Sequence, residues 1–400
     1  MTKDNHPHGA WRMRNSVALV PMLVLAGFVA ATTPVRAATQ SVIYAFKGGS
    51  DGDEPIAGLT RVGNTLYGTT FKGGGNGTGC SGSGCGTVYA LTRAGVHTIL
   101  HSFTGGHDGT YPWAGLIEIG GTLYGTTSGG GDAEWGTVFL ITKTGAENVL
   151  YAFENGHDGG EPLGGLLNVG GILFGTTYAG GGHPCYDNDG CGTVFSLTKV
   201  GKETVLYAFK GGTDGAEPYT ALIKLHGRLY GTTYFGGTNG DHGAVFAVTR
   251  HGTETLTHSF AGGSDGSHTE AGLIEVGGIF YGTTYQGGAS NAGLVFALTP
   301  QGVEKVVYSF EGGNDGGEPL GGLIDLGGTL YGTTYSGGAN NAGTIFSVTP
   351  QGKESVLHSF GKGNDGAAPV AGLTDLGGTL YGTTSAGGDH NAGTVFSITP

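Results

Sequence analysis

The amino-acid sequence predicts an all-β fold, a seven-bladed β-propeller with four antiparallel strands per blade. The tetrapeptide YGTT, or its variant FGTT, occurs seven times, starting at residues 67, 124, 174, 230, 281, 331 and 381. A second landmark, a Phe followed five residues later by Asp-Gly, also occurs seven times, from Phe46 to Phe360. A repeat of about 50 residues is typical of solenoids, propellers and arrays. The seven repeats therefore predict seven blades.

One repeat shows the expected strands of a blade most clearly. Between residues 322 and 360, the segments GLIDL, TLYGTT, GTIFSVT and ESVLHSF are each a few residues long and alternate in polarity. Gly327 and Gly328 suit a two-residue hairpin turn, and PQGK places Pro and Gly at another turn. No segment has a helical period. Four short strands per repeat indicate a propeller blade.

The two ends of the sequence predict how the ring closes. SVIYAF (41–46) is a fourth strand without its blade, and GTVFSITP (393–400) is a third strand with nothing after it. We expect the first strand to complete the last blade, because this pairing leaves no open sheet edge. The alternative, an open β-solenoid, would need polar capping repeats, and we find none.

YGTT falls on the second strand of each repeat, and we interpret it as a packing motif. Alternation along a strand places Tyr67 and Thr69 on one sheet face and Gly68 on the other. We expect the Gly to permit close packing between blades and the aromatic ring to fill the gap beside it. Seven copies then serve seven equivalent interfaces. A sevenfold ligand-binding motif is the alternative.

Residues 1–37 predict a secretory signal peptide. Arg12 and Arg14 precede an apolar run over residues 17–31, and small residues follow, so we expect cleavage after Ala37. An uncleaved anchor is the alternative, but a transmembrane helix needs about 20 apolar residues and this run is shorter. We expect residues 38–400 to form a single monomeric propeller, secreted or periplasmic, without a transmembrane span.

Charge and cysteine content limit the partners and the compartment. The formal net charge of −13 argues against binding a nucleic-acid backbone or anionic lipid. The four cysteines form two close pairs, Cys80/Cys85 and Cys185/Cys191, which predict two local disulfides in an exported protein. A metal site that uses all four cysteines is the alternative, although the spacings fit zinc ribbons poorly.

The repeat resembles that of a known family. LYGTT-x-x-GG, then GTVF, LYSF and GG-x-DG-x-x-P, resembles the Gloeobacter/Verrucomicrobia (GloVer) tandem repeat of exported proteins over residues 41–400. The resemblance implies a secreted or surface-anchored protein and no established common activity. Many members carry a C-terminal sorting anchor, whereas this sequence stops at Pro400 within the last repeat. We therefore expect release rather than anchoring.

The loops after the second and fourth strands share one side of a propeller, which we call the Asp-Gly face, and loops on a rigid scaffold often carry binding residues. The candidate binding residues are Asp51, Asp108, Asp158, Asp214, Asp265, Asp315, Asp365, Trp113 and Trp135. A ring of carboxylates favours Ca²⁺, the only cofactor that the pattern suggests, and Asp187 and Asp189 are weaker candidates for it. The alternative is that each Asp-Gly pair only shapes a turn.

Aromatic residues in the second repeat suggest a ligand. Tyr111, Trp113 and Trp135 would stack on sugar rings if exposed, and Asp132 and Glu134 raise the hypothesis of a carboxylate pair for glycoside chemistry. No G-x-S-x-G or H-E-x-x-H signature occurs. We predict a secreted, non-catalytic propeller that binds a protein or carbohydrate through the Asp-Gly face. The alternatives are a glycan hydrolase or lyase, with or without Ca²⁺, and a purely structural envelope protein.

Overall fold

The computed structural model describes residues 38–75, 80, 82–185 and 189–400. In this part, the chain forms seven four-stranded antiparallel sheets, as the repeats predicted. None of the helical segments described there is long and apolar enough to cross a membrane. The signal peptide predicted for residues 1–37 lies outside the described residues and stays a prediction.

Strand β1 (Thr39–Ala45) begins the described chain, and the first three blades follow it. The strands of the first blade are β2 (Thr60–Val62), β3 (Thr65–Thr70), β4 (Thr87–Thr92) and β5 (His97–Ser102). Those of the second are β6 (Ile117–Ile119), β7 (Thr122–Thr127), β8 (Thr137–Thr142) and β9 (Glu147–Ala152). Those of the third are β10 (Leu167–Val169), β11 (Ile172–Thr177), β12 (Thr193–Thr198) and β13 (Glu203–Ala208).

The remaining blades repeat this order. The fourth has β14 (Ile223–Leu225), β15 (Arg228–Thr233), β16 (Ala244–Val248) and β17 (Glu254–Ser259). The fifth has β18 (Ile274–Val276), β19 (Ile279–Thr284), β20 (Leu294–Leu298) and β21 (Glu304–Ser309). The sixth has β22 (Ile324–Leu326), β23 (Thr329–Thr334), β24 (Thr344–Val348) and β25 (Glu354–Ser359). The seventh has β26 (Thr374–Asp375), β27 (Leu380–Thr384) and β28 (Thr394–Thr399), and β1 is its outer strand.

The ring closes through the N-terminal strand, as predicted. Strand β1 pairs antiparallel with β28, from Thr39 opposite Thr399 to Ala45 opposite Thr394. The hydroxyl of Thr383 in the last blade also donates to the carbonyl of Ala57 before the first blade, at 3.1 Å. The first and last strands of the described chain are therefore held within one sheet, which has no unpaired β28 edge.

Small residues surround the central axis, where the short first strands of neighbouring blades meet. A Cβ added to Gly115 would lie 2.7 Å from the carbonyl oxygen of Gly58, and one added to Gly372 would lie 2.7 Å from that of Gly322. A larger side chain would force these backbones apart. We call this set the axial ring; its members are Gly58, Gly115, Gly165, Ala221, Gly272, Gly322 and Gly372.

Aromatic pairs hold every blade to the next. The Phe before each Asp-Gly loop packs edge-on against an aromatic ring on the third strand of the following blade, with ring centroids 5.0–5.3 Å apart. These rings are almost completely buried. The pairs are Phe46–Tyr89, Phe103–Phe139, Phe153–Phe195, Phe209–Phe246, Phe260–Phe296, Phe310–Phe346 and Phe360–Phe396.

The role of the Gly in YGTT differs from the one we expected. A Cβ on Gly332 would lie 2.7 Å from Cζ of Phe346, which faces it across the same blade. The Gly therefore makes room for a ring within its own blade, and that ring then packs against the neighbouring blade. Gly and ring are register partners on adjacent strands, a relationship that the sequence repeat alone does not reveal.

The two threonines of YGTT form buried hydrogen bonds. The first reaches the next blade in several repeats; the Thr176 hydroxyl donates to the Thr220 carbonyl at 3.0 Å. The second stays within its blade, where the Thr334 hydroxyl donates to the Ser336 carbonyl at 3.0 Å and lies 2.8 Å from the Thr344 hydroxyl. YGTT thus recurs because each blade needs the same internal packing and the same bridge to its neighbour.

Both predicted disulfides are present. Cys80 bonds Cys85, and Cys185 bonds Cys191, so no free cysteine is found in the part of the chain that the structure describes. The alternative, one metal site built from all four cysteines, is wrong, since each sulfur is bonded to another.

Candidate functional site

The loops after the second and fourth strands lie side by side on the Asp-Gly face. Each Asp-Gly loop pairs through its backbone with the loop after the following second strand, as between Asp53 and Lys72 and between Gly317 and Ser336. These pairings place the variable loops of the seven blades on a common rigid frame.

The seven Asp-Gly aspartates make hydrogen bonds within their own loops. The Tyr308 hydroxyl donates to Asp315 at 2.9 Å, and the backbone N–H of Glu311 donates to the same carboxylate at 2.9 Å. In three blades His replaces Tyr, and Nε2 of His358 lies 2.9 Å from Asp365. These contacts agree with the interpretation of Asp-Gly as a turn. A binding role for the seven aspartates remains a prediction.

The structure leaves the Ca²⁺ hypothesis untested. Within residues 38–75, 80, 82–185 and 189–400, no three His, Cys, Asp or Glu side chains come close enough to hold a metal ion. Asp189 is exposed at the end of its loop. Asp187 lies outside the described residues, and a Ca²⁺ site at this pair stays a prediction.

A pair of adjoining cavities opens at the axis on the Asp-Gly face, with volumes of about 520 and 420 Å³. Trp113 and Tyr219 line both cavities, and we call the combined space the central cup. Its aromatic lining is Phe71, Tyr111, Trp113, Tyr178, Tyr219, Tyr285 and Tyr335. Its acidic lining is Glu54, Glu134, Glu161 and Glu270.

The aromatic lining is concentrated on one side of the cup. Phe71 lies 5.0 Å from Tyr111 and 5.2 Å from Trp113, measured between ring centroids. Tyr219 lies 6.4 Å from Trp113 and 5.4 Å from Tyr178. All five rings are half-buried. They form a continuous cluster that exposes ring surface to the cavity.

Carboxylates line both cavities, beside the aromatic rings and a few aliphatic side chains. Burial, with a smaller contribution from the negative charge of Glu318, raises the pKa of Glu270 to about 7. Burial also raises the pKa of Glu161, with a smaller contribution from Asp189. Glu54 forms an ion pair with Lys72, and Oε1 of Glu54 lies 2.8 Å from Nζ of Lys72. The cup therefore holds carboxylates in unequal environments.

The residue three positions after each Asp has a left-handed backbone, although none of the seven is Gly. In Glu318, φ is 56°; its N–H donates to Ala292 at 2.8 Å and its carbonyl accepts from Tyr335 at 3.0 Å. These bonds connect loops of two neighbouring blades and hold an uncommon conformation. The same position is left-handed in Glu54, Tyr111, Glu161, Glu217, His268, Glu318 and Ala368.

The structure separates the residues that the sequence grouped in the second blade. Trp113 and Glu134 line the cup, whereas Trp135 packs against the hydrophobic cluster between the second and third blades. Asp132 is highly exposed and bonds Nδ1 of His107 at 2.7 Å. Asp132 and Glu134 therefore do not line a common cavity as a carboxylate pair.

Several residues of the cup were not predicted from the sequence, among them Tyr178, Tyr219 and Glu270. A usable signal was present: the residue five positions after each Asp differs from blade to blade within an otherwise constant repeat. That position is occupied by Ile56, Trp113, Leu163, Tyr219, Glu270, Leu320 and Val370. A varied position inside a repeated frame marks where the blades cease to be equivalent.

Seven repeated blades around a loop-lined central cup define a β-propeller repeat protein. The sequence profile of the Gloeobacter/Verrucomicrobia repeat matches residues 80–296 and 240–400. The chain belongs to this family, as its landmarks indicated. Comparison with curated proteins found no match.

Several solved structures resemble the fold. A puromycin hydrolase is 13% identical with a TM-score of 0.50, covering 85% of this chain and 53% of that one. A Pyrococcus horikoshii acylaminoacyl peptidase is 8% identical with a TM-score of 0.44, covering 82% and 49%. A GH43 β-xylosidase/α-arabinofuranosidase from a compost metagenome is 12% identical with a TM-score of 0.32, covering 58% and 89%. The chain spans about half the length of the first two. At these identities the likeness concerns the fold alone.

Proposed function

We propose that the protein binds carbohydrate in the central cup, without turning it over. The observation that carries this proposal is the half-buried aromatic cluster around Trp113 and Tyr219 at the axis. Ligand sites are typically concave and mostly apolar, with a few polar groups that fix orientation. Flat aromatic rings suit the C–H faces of sugars, and the cup carboxylates supply acceptors for hydroxyl groups.

Its compartment supports the proposal. Two disulfides are typical of the periplasm or the cell exterior, where polysaccharides are abundant. The predicted signal peptide would direct the chain there. Binding through a rigid ring also fits this chain, whose constant repeat builds a scaffold and whose varied loop residues surround the axis.

Titration calorimetry of residues 38–400 against neutral and charged oligosaccharides would test the proposal. We expect Trp113→Ala to weaken binding by about fivefold, since one aromatic contact contributes on the order of 1 kcal/mol. Trp135→Phe is the matched control outside the cup and should bind as the wild type does. Unchanged binding in Trp113→Ala, or no oligosaccharide binding at all, would contradict the proposal and leave a protein ligand or a structural role.

Glycan hydrolysis is a second candidate, favoured by the environment of Glu270. A carboxyl group with a pKa of about 7 suits proton donation near neutrality, and the charge of Glu318 influences it. Incubating any bound oligosaccharide with the protein and resolving the products by chromatography would separate the two functions. Shorter oligosaccharides formed by the wild type but not by Glu270→Gln would favour an enzyme. An oligosaccharide that stays intact with the wild type would favour binding alone.

A further inference from the structure

We infer that the carbohydrate of the central cup is a cationic amino sugar, a glucosamine-type oligomer with free amines. This inference rests on the proposed function and specifies the ligand class. Every charged side chain that lines the two cavities in the described part of the chain is a carboxylate: Glu54, Glu134, Glu161 and Glu270. Lys72, the neighbouring cation, is in an ion pair with Glu54.

The acidic and aromatic groups occur together rather than on separate surfaces. Glu270 shares its cavity with Trp113, Tyr219 and Tyr285. When it is ionised, Glu270 lies close enough to help raise the pKa of Tyr219, after the larger effect of burial. A carboxylate beside aromatic ring faces is the combination that holds an ammonium group, through charge pairing and cation–π attraction.

Other sugars fit the cup less well. A neutral oligosaccharide would donate hydroxyl hydrogen bonds to the carboxylates but would supply no positive charge to balance them. A uronic acid would add like charge to the acidic lining and be repelled. The net charge of the chain, −13, acts in the same direction over longer distances.

A cationic peptide has the required charge but fits the geometry less well. Extended peptides commonly bind by adding a strand to an open sheet edge. Below the cup, the first strands meet around the axis, where neighbouring members of the axial ring approach closely and line a further cavity. The lining combines ring faces and carboxylates with a few aliphatic and small side chains, which suits sugar units better than a peptide backbone.

The test is calorimetric titration of residues 38–400 with four tetrasaccharides, the tetramers of glucosamine, of N-acetylglucosamine, of glucose and of a uronic acid. We expect the glucosamine tetramer to bind at least about tenfold more tightly than its acetylated form, a difference of about 1.4 kcal/mol. The preference should weaken in high salt. Glu270→Gln should reduce it, whereas Glu311→Gln, a matched charge change on an exposed loop residue, should not.

Each outcome has a defined meaning. Equal binding of the glucosamine and neutral tetramers would overturn the amino-sugar inference and leave carbohydrate binding intact. Tighter binding of tetralysine than of the glucosamine tetramer would overturn it in favour of a cationic peptide. No binding by any tetrasaccharide would overturn both the inference and the proposed function. A thermal melt confirms that each variant is folded before titration.

Discussion

Gly332→Ala tests the explanation for the sevenfold recurrence of YGTT. Gly332 faces Phe346 on the adjacent strand, and an added Cβ would lie 2.7 Å from Cζ and 2.9 Å from Cε1 of that ring. Cδ2 of Leu323 would also lie 2.9 Å away. The ring has little room to retreat, because Phe346 is fully buried against Phe310 of the preceding blade.

The magnitude follows from this crowding. Adding a methyl group to a well-packed core typically costs about 1–3 kcal/mol, and we expect about 2 kcal/mol here. Gly313→Ala is the matched control, because an added Cβ there meets nothing within 4 Å and the backbone is not left-handed. Its effect should lie within about 0.5 kcal/mol of zero or be slightly stabilising.

Guanidinium unfolding would measure these effects. It would be carried out on Gly332→Ala, on Gly313→Ala, on Phe346→Leu and on the double mutant that combines Gly332→Ala with Phe346→Leu. Leu lacks the ring atoms nearest to the added methyl group, so the double mutant should be more stable than the two single losses predict, by about 1 kcal/mol. Additive losses, or a cost for Gly332→Ala no larger than for Gly313→Ala, would refute the reasoning.

Two further predictions concern stability. Four half-buried glutamates on outer strands have a pKa raised from 4.5 to about 7: Glu203, Glu254, Glu304 and Glu354. Burial is the larger cause, and the negative charge of an Asp in the preceding blade's Asp-Gly loop is the second. Between pH 4.5 and pH 7 the folded protein therefore binds more protons than the unfolded chain. The contribution of these glutamates to the free energy of unfolding is complete below pH 4.5 and is lost as the pH rises through 7. The melting temperature should be higher at pH 5 than at pH 8, with a smaller difference in Glu254→Gln; a pH-independent melt would contradict this. Replacing Cys185 and Cys191 by Ser should cost about 2 kcal/mol in guanidinium unfolding, as expected for a short loop, and an unchanged midpoint would exclude a stabilising role.

The fold could be predicted because repetition supplies the same evidence seven times. YGTT, the Asp-Gly loops and the short strands between them occur in every blade, so an ambiguous segment such as SVIYAF is interpreted from its six equivalents. The closing pair between β1 and β28 followed from the missing outer strand of the last repeat. Periodicity did not reveal that Gly332 and Phe346 are register partners, since register depends on turn length.

The central cup was harder to predict, because it depends on residues that differ between blades. Repetition draws attention to Asp315 and its equivalents, whose carboxylates close their own loops. Trp113 was found from its residue type, whereas Tyr219 and Glu270 are distant in sequence and meet it only after the ring closes. Residues that are constant between blades therefore identify the scaffold, whereas the site is found among the residues that differ between blades.

Closure of the ring by β1 also affects how the protein folds and assembles. The edge of β28 is completed by the first strand of the described chain. The last sheet therefore forms completely only when strands that are distant in sequence have paired. Contacts so distant in sequence form slowly, and an uncovered edge is a template for another chain. At high concentration during refolding, we expect β1 of one molecule to compete for β28 of a second. The pairing that completes one propeller is thus the same one that would link two by strand exchange.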